Sequence, residues 1–318
     1  MQKIGIIGVG HFGRSHIKEL KEIPEFELAG FYDINPETSK QISAEFNISV
    51  FSSYEELLNE VNVVDIAVPT SLHYECAVEA IKKQKHVFIE NPVTLTVEDA
   101  ENLIKLAEEA SIKVQVGNIE QFNPAFRGAQ LHINNPVYIE IQRLQPFTNS
   151  SPEDSVILNL MIYDIDIILG TVNANIKKID ANGAKFVSGT ADIANARLEF
   201  DNGCVANITS SRISPDNIVI YKFFQKDEYI IVDFLNKKTE TVKFKKIENN
   251  CNPVLNNYRN MLKELLIENY EITNSNALKE EFLAFSKCIE NNSTPLVTLD
   301  DGFKALQVAN EIIEKINI

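Results

Sequence analysis

The chain has 318 residues, of which 44% are hydrophobic, long enough for about two domains that each bury a proper core. Its 45 acidic against 30 basic residues give a net charge of −15, which argues against nucleic acid and anionic membrane surfaces as partners. Cys76, Cys204, Cys251 and Cys288 form no Cys-x-x-Cys pair, and no secretory signal or apolar run of about 18 residues is found, so a soluble cytoplasmic protein without zinc ribbon or redox dithiol is expected.

The first predicted element is a buried parallel strand over residues 4–7, and residues 14–23 read as the start of a helix. Between them runs Ile6-Ile7-Gly8-Val9-Gly10-His11-Phe12-Gly13. Gly8 allows the tight turn, Gly10 leaves room for a pyrophosphate against backbone N–H groups, and Gly13 lets the helix lie close on the strand. Bracketed by strand and helix, the motif predicts a dinucleotide site that includes His11 and Phe12. A second strand is expected over residues 26–32, with Asp33 at its end, about 20 residues past the third glycine, where a carboxylate accepts hydrogen bonds from the adenosine ribose. That carboxylate repels a 2′-phosphate, and Ile34 and Asn35 supply no arginine to neutralise one, so NAD is favoured over NADP.

Strands and helices then alternate: helix 36–46, a short strand at Val50, helix 54–59, strand 63–68, helix 73–83, strand 86–89, helix 97–110 and strand 112–116. Such alternation implies an α/β doubly wound (Rossmann) parallel sheet over residues 1–121, with its ligand at the carboxyl ends of the strands. Pro69 and Thr70, and the loop Glu90-Asn91-Pro92, follow two strand ends and are expected to face the cofactor.

Beyond Phe122 the period changes to two, in residues 138–144, 191–200 and 204–212, the last two joined by the hairpin signal Asn202-Gly203. Helices are expected at about 158–169, 258–268, 278–289 and 303–316. Residues 122–318 therefore read as an α+β domain with a large, mostly antiparallel sheet, reached through a short hinge at 118–123, with substrate held in an interdomain cleft. One sheet face lacks a cover, and a second subunit is the expected one, giving a homodimer or homotetramer.

The fingerprint, together with Val68-Pro69-Thr70-Ser71-Leu72-His73, Lys85-His86-Val87-Phe88-Ile89-Glu90-Asn91-Pro92 and Tyr163-Asp164-Ile165-Asp166, resembles the glucose-fructose oxidoreductase, inositol dehydrogenase and MocA family over essentially the whole chain. The segments 116–124 and 210–214 are similar to a bacterial branch associated with nucleotide-activated amino sugars. The resemblance implies oxidation of a sugar hydroxyl, or reduction of the ketone, with a nicotinamide cofactor, and it adds His73 to the cofactor-binding set. It places Asn91 where the family usually has a Lys, and Asn159 and Tyr163 where it usually has an Asp and a His four residues on. In the hinge, Asn118 and Gln121 stand where the related branch tends to carry His and Arg.

Alcohol oxidation needs a hydride acceptor above the carbinol carbon and a base for the hydroxyl proton. Asn91 can hydrogen-bond a hydroxyl but cannot take its proton, and loss of a positioned acid–base group typically costs about 10²- to 10⁴-fold in rate. Tyr163 is the remaining candidate for proton transfer, although a phenol with a pKa of about 10 needs a nearby cation, and a buried, hydrogen-bonded aromatic is the competing reading. Arg143 is either such a cation, a group that binds sugar or phosphate, or a surface residue. Asn118, Gln121, Asn123 and Arg143 make up the candidate substrate set.

The five histidines, His11, His16, His73, His86 and His132, lack metal-ligand spacing, so no metal is expected. Asp164 and Asp166, two apart on a helix, face different directions, which disfavours paired acid–base work. Three functions remain compatible with the residues: an NAD-dependent sugar oxidoreductase, an NAD-binding pseudoenzyme, and a regulatory interaction protein on the same fold.

Overall fold

The computed structural model describes residues 1–147, 155–246, 263–269 and 275–316. Two compact units emerge, Met1–Phe122 with Asn276–Val308, and Asn123–Ser275 with Ala309–Ile318.

In the first unit the chain runs β1 (Gln2–Ile7), α1 (His11–Leu20), β2 (Phe26–Tyr32), α2 (Pro36–Phe46), α3 (Tyr54–Glu60), β3 (Val63–Ile66), α4 (His73–Lys82), β4 (His86–Ile89), α5 (Val97–Ala110) and β5 (Val114–Val116). The strands form one parallel sheet in the order β2-β1-β3-β4-β5, so the doubly wound fold read from the sequence is present. β3 to β5 are almost wholly buried because helices cover both faces of a parallel sheet. Val50 contributes an isolated parallel bridge to Phe31 rather than a strand. Helix starts follow their caps: Asn35 accepts from Glu37 N and Thr38 N, Ser53 from Glu56 N, and Thr96 from Asp99 N. Sheet order turns back at β1, whose two neighbours, β2 and β3, lie on opposite sides of it. That reversal is where a doubly wound sheet opens a crevice for a ligand.

The second unit begins with α6 (Pro124–Gln130) and β6 (Tyr138–Leu144), then a π-helical turn at Ile157–Met161 leading into α7 (Ile162–Thr171). It continues through β7 (Ile176–Ala184), β8 (Ile193–Phe200), β9 (Val205–Ser211), β10 (Ile218–Gln225), β11 (Glu228–Asp233), β12 (Lys238–Lys246) and β13 (Lys263–Asn269). These strands make one sheet in the order β13-β12-β11-β10-β6-β9-β8-β7, antiparallel throughout except for the β6–β9 pair. Burial alternates along β6, β8, β9 and β10, so one face is packed and the other is partly open. Gly203 at φ +86° turns the β8–β9 hairpin.

One expected helix is corrected. Residues 263–268, read as part of a helix over 258–268, belong to β13 (Lys263–Asn269), which pairs antiparallel with β12 from Lys246↔Lys263 to Glu240↔Asn269. Helical spacing there yields to a ladder with a neighbouring strand, because strand formation depends on pairing partners that local sequence does not show. Residues 258–262 and Cys251 lie outside the described residues. The chain closes with α8 (Ala277–Glu290) and α9 (Leu299–Lys315). α8 lays Phe282 and Phe285 into the core of the first unit, against Phe88, Ile17 and Phe26. Among the described residues no helix is long and apolar enough to cross a membrane.

Candidate functional site

The glycine turn has the geometry that its spacing implies. Gly8 sits at φ +83°, and a Cβ there would lie 2.8 Å from a Val68 methyl carbon and 2.9 Å from the Ala67 carbonyl oxygen. At Gly13 a Cβ would lie 2.0 Å from the Gly8 carbonyl oxygen, so only a bare backbone lets α1 come this close to β1. Gly10 differs: nothing lies within 4 Å of where its Cβ would be, so the space beside it is open. α1 starts immediately after, with no side-chain cap and no acidic residue in its first turn. Its leading N–H groups have no carbonyl partner within the helix, and His11 and Phe12 are exposed above them. A helix start without an anionic cap, beside an open backbone, suits the pyrophosphate of a dinucleotide.

Asp33 holds this turn in place. Its Oδ2 accepts from Val9 N at 2.9 Å and its Oδ1 from Asn35 N at 2.8 Å, which locks the loop after β1 to the end of β2. Each carboxylate oxygen can accept a second bond, so the same side chain can receive the two hydroxyls of a ribose.

Pro69 and Thr70 open a 3-10 turn after β3, with Leu72 N donating to the Pro69 carbonyl at 2.9 Å. His73 is buried: its Nδ1 faces the Pro92 carbonyl and its Nε2 the Val68 carbonyl, each at 2.9 Å. Burial pulls its pKa below the ordinary histidine value, so the neutral ring donates to one carbonyl at a time. His73 thus links the loops that follow β3 and β4.

Glu90 leaves the end of β4 with its N–H on the Ile66 carbonyl at 3.2 Å. Its carboxylate lies beside Gly117, where a Cβ would meet both of its oxygens at 3.0 Å. The next residue, Asn91, is buried and joined to Pro92 by a cis bond. Beneath Glu90 sits a group that the sequence reading did not single out. His16, on α1, places Nδ1 2.8 Å from Asp65 Oδ2 and Nε2 3.1 Å from Glu90 Oε1. Glu281, on α8, accepts the Asn118 N–H at 2.8 Å. Burial works against the His16 imidazolium, but Asp65 and Glu90 outweigh it and hold its pKa well above the ordinary value. Burial, reinforced by the charge of Glu90, pushes Glu281 well above the usual carboxylate range. A signal for this group did exist: Asp65 interrupts the apolar run Val63-Val64-Asp65-Ile66, and a carboxylate inside a buried strand needs a partner.

Among the substrate candidates, Asn118 is buried, and its side-chain oxygen receives Glu120 N at 3.2 Å. Gln121 is half-buried on a 3-10 turn, Ile119–Phe122. Asn123 caps α6 through Ala125 N at 3.0 Å and donates to the Phe234 carbonyl at 3.1 Å, which gives its amide two structural partners. Asn159 lies in the π-helical turn and Tyr163 one turn later; both are half-buried, while Leu160, Met161, Ile162 and Asp164 are buried. A π-helical turn often marks a functional site.

Arg143 is not a surface residue. It is buried, with Nε 2.8 Å and Nη2 2.7 Å from Asp164 Oδ1. The Tyr221 hydroxyl donates to the same oxygen. Its charge is therefore balanced by a carboxylate directly after Tyr163. Asp166 is also buried.

Comparison with known proteins adds identity to this geometry. A family profile described as "Oxidoreductase family, NAD-binding Rossmann fold" matches residues 2–118, and one for the GFO/IDH/MocA C-terminal domain matches residues 115–227. A UDP-N-acetylglucosamine 3-dehydrogenase from Acidithiobacillus ferrooxidans is 37% identical over 235 residues, 74% of each chain. The scyllo-inositol 2-dehydrogenase (NAD(+)) of Bacillus subtilis is 24% identical, over 96% of this chain and 91% of the relative. A solved structure of the Acidithiobacillus enzyme superposes with a TM-score of 0.89 at 31% identity, covering 99% of this chain and 97% of that one.

Proposed function

The chain belongs to the GFO/IDH/MocA oxidoreductase family, and on that premise we propose that it binds NAD(H) and interconverts a hydroxyl and a ketone on a nucleotide-activated amino sugar. The observation that carries the cofactor half is the open space at Gly10 beside an uncapped α1, with Asp33 fixed at the end of β2. Asp33 favours NAD over NADP, since its carboxylate repels a 2′-phosphate and neither Ile34 nor Asn35 offset it. Bound there, the cofactor supplies the hydride acceptor or donor. The substrate half rests on likeness to a UDP-N-acetylglucosamine dehydrogenase.

The chain's own groups do the rest. Asn91 offers an amide that orients a hydroxyl without taking its proton. Tyr163, one turn beyond Asn159, moves the proton, and Asn118 and Gln121 contact the sugar. A homo-oligomer forms through the open face of the large sheet in the cytoplasm, supported by a row of half-buried aromatics across its strands, Tyr138, Phe224, Tyr229 and Phe244.

Calorimetry with NAD and NADP, followed by nicotinamide reduction with a panel of sugars and UDP-sugars, tests the reading. Binding with micromolar affinity, turnover on at least one UDP-amino sugar, and its loss in Tyr163→Phe are expected; absence of binding to both cofactors refutes it. A second reading, an NAD-binding pseudoenzyme, is favoured by the amides at Asn91 and Asn159 and the phenol at Tyr163. It prevails if the wild type stays silent while Asn91→Lys combined with Asn159→Asp and Tyr163→His gains activity.

A further inference from the structure

We propose that His16 is a positioning residue for the nicotinamide half of the cofactor, acting through Glu90 as an imidazolium clamped between two carboxylates; this rests on the NAD(H) reading above. Three observations carry it.

The first is geometry. Both ring nitrogens of His16 face carboxylate oxygens, Asp65 Oδ2 at 2.8 Å and Glu90 Oε1 at 3.1 Å. A neutral imidazole donates through one nitrogen only, so with both carboxylates ionised an imidazolium alone satisfies both contacts. The rings of Phe88 and Phe282 stand edge-on to it at 5.8 and 5.2 Å between centroids, which fixes its plane. The titratable groups facing it are Asp65 from β3, Glu90 from the end of β4 and Glu281 from α8. Among the described residues no group of three or more His, Cys, Asp or Glu is placed to hold a metal ion.

The second is access. His16 and Asp65 are sealed, at 2% and 0% side-chain exposure, while the Glu90 side chain is 13% exposed. Glu90 is thus the member through which the triad reaches the surface, and it directly precedes Asn91. Gly117 leaves room for its carboxylate, which any larger residue would displace.

The third is topology. Asp33, at the end of β2, holds the adenosine side of the crevice, and β3 and β4 lie on the other side of β1. A dinucleotide whose pyrophosphate rests on α1 therefore runs its other half past the ends of β3 and β4, where Glu90 stands. His16 sits on the same α1 whose start receives the pyrophosphate, so one ion cluster ties the phosphate helix to the nicotinamide-side loop. Burying these charges is expensive, and an apolar residue at position 16 would pack against Phe88 and Phe282 at lower cost. What the charged triad adds is a fixed Glu90 carboxylate.

The test compares two ligands on the full chain. His16→Gln is expected to weaken NADH binding about 5- to 100-fold, the range of a coupling between neighbouring groups, while ADP-ribose, which lacks the nicotinamide, stays within about twofold. Glu90→Gln, which keeps the shape and removes the charge, should show the same split, and it decides the matter if His16→Gln does not fold. Equal weakening of both ligands would mean a purely structural support for α1 and overturns the proposal, as does no weakening of either. A wild type that binds neither ligand refutes the cofactor reading itself, a different outcome from an equal loss. Independently, ¹⁵N NMR of the imidazoles, with His16 assigned through the Gln variant, should show both its nitrogens protonated at pH 7.5; a neutral ring overturns the clamp.

Discussion

Replacing Gly10 by alanine separates a phosphate cradle from an ordinary glycine turn. The new methyl group meets no protein atom within 4 Å. The fold should therefore hardly notice the change, with stability altered by no more than about 0.5 kcal/mol. A bound pyrophosphate would notice it. Its oxygens must come within about 2.9 Å of the leading N–H groups of α1, whereas a methyl carbon needs about 3.5–4 Å from any heavy atom. The anion has to retreat and loses at least one charge-assisted hydrogen bond, worth about 1.5–3 kcal/mol. That corresponds to a weakening of about 10- to 150-fold in NADH affinity.

Gly13→Ala supplies the opposite signature. There the methyl carbon would lie 2.0 Å from the Gly8 carbonyl oxygen, an atom of the backbone that cannot rotate away. Overpacking of this kind costs about 1–3 kcal/mol or more, and each kcal/mol lowers Tm by about 2–4 °C in a domain of this size. Fluorescence titration with NADH and thermal unfolding, run on the same preparations, read both effects. Gly10→Ala that binds NADH within twofold of wild type would place the anion somewhere other than on α1 and refute the reasoning.

Three further changes test other parts of the structure. Asp33→Ser should raise the affinity for NADP relative to NAD and also cost about 1–3 kcal/mol, since Val9 N and Asn35 N lose their acceptor; unchanged cofactor preference by calorimetry contradicts the first part. Glu281 has its pKa raised by burial and by Glu90, so its contribution to stability is complete below its unfolded pKa of about 4.3 and is lost as pH rises towards the folded value. Glu281→Gln has no such loss, so its urea stability relative to wild type should be more favourable at pH 8 than at pH 5; an equal difference at both refutes the assignment. Asp164→Asn leaves Arg143 buried beside an amide and should cost about 3–5 kcal/mol, read as a fall in Tm, whereas Arg143→Met with Asp164→Leu should recover most of it.

How far the sequence reached depends on what each feature needs to be seen. The glycine turn and Asp33 were legible because their constraints are local: a positive φ at Gly8, a backbone contact at Gly13, and a carboxylate one strand later. The first sheet followed from apolar runs, since strands covered on both faces leave no other pattern. The second unit was harder. Local alternation does not mark β7, β10, β11 and β12, and residues 263–268 read as helix, because an edge strand owes its form to a partner in β12 that is distant in sequence.

The same reasoning explains why the charge cluster stayed hidden. His16, Asp65, Glu90 and Glu281 come from four separate elements, and no spacing rule joins them. Only Asp65 carried a warning, as a carboxylate inside an apolar strand. Arg143 shows the converse: the sequence leaves it as a cation for Tyr163, a sugar- or phosphate-binding group or a surface residue, and it is an internal counter-charge once α7 lays Asp164 against it. In both units the polar residues that sequence assigned directly to ligand turn out to include groups whose first partners are protein atoms, His73, Asn123 and Arg143 among them. A site built this way is fixed before its ligand arrives, since each buried polar group must already be satisfied by the fold. Substitutions at such residues should therefore change Tm together with affinity, while substitutions at Gly10 should change affinity alone, and that contrast distinguishes residues that shape the site from those that touch what it holds.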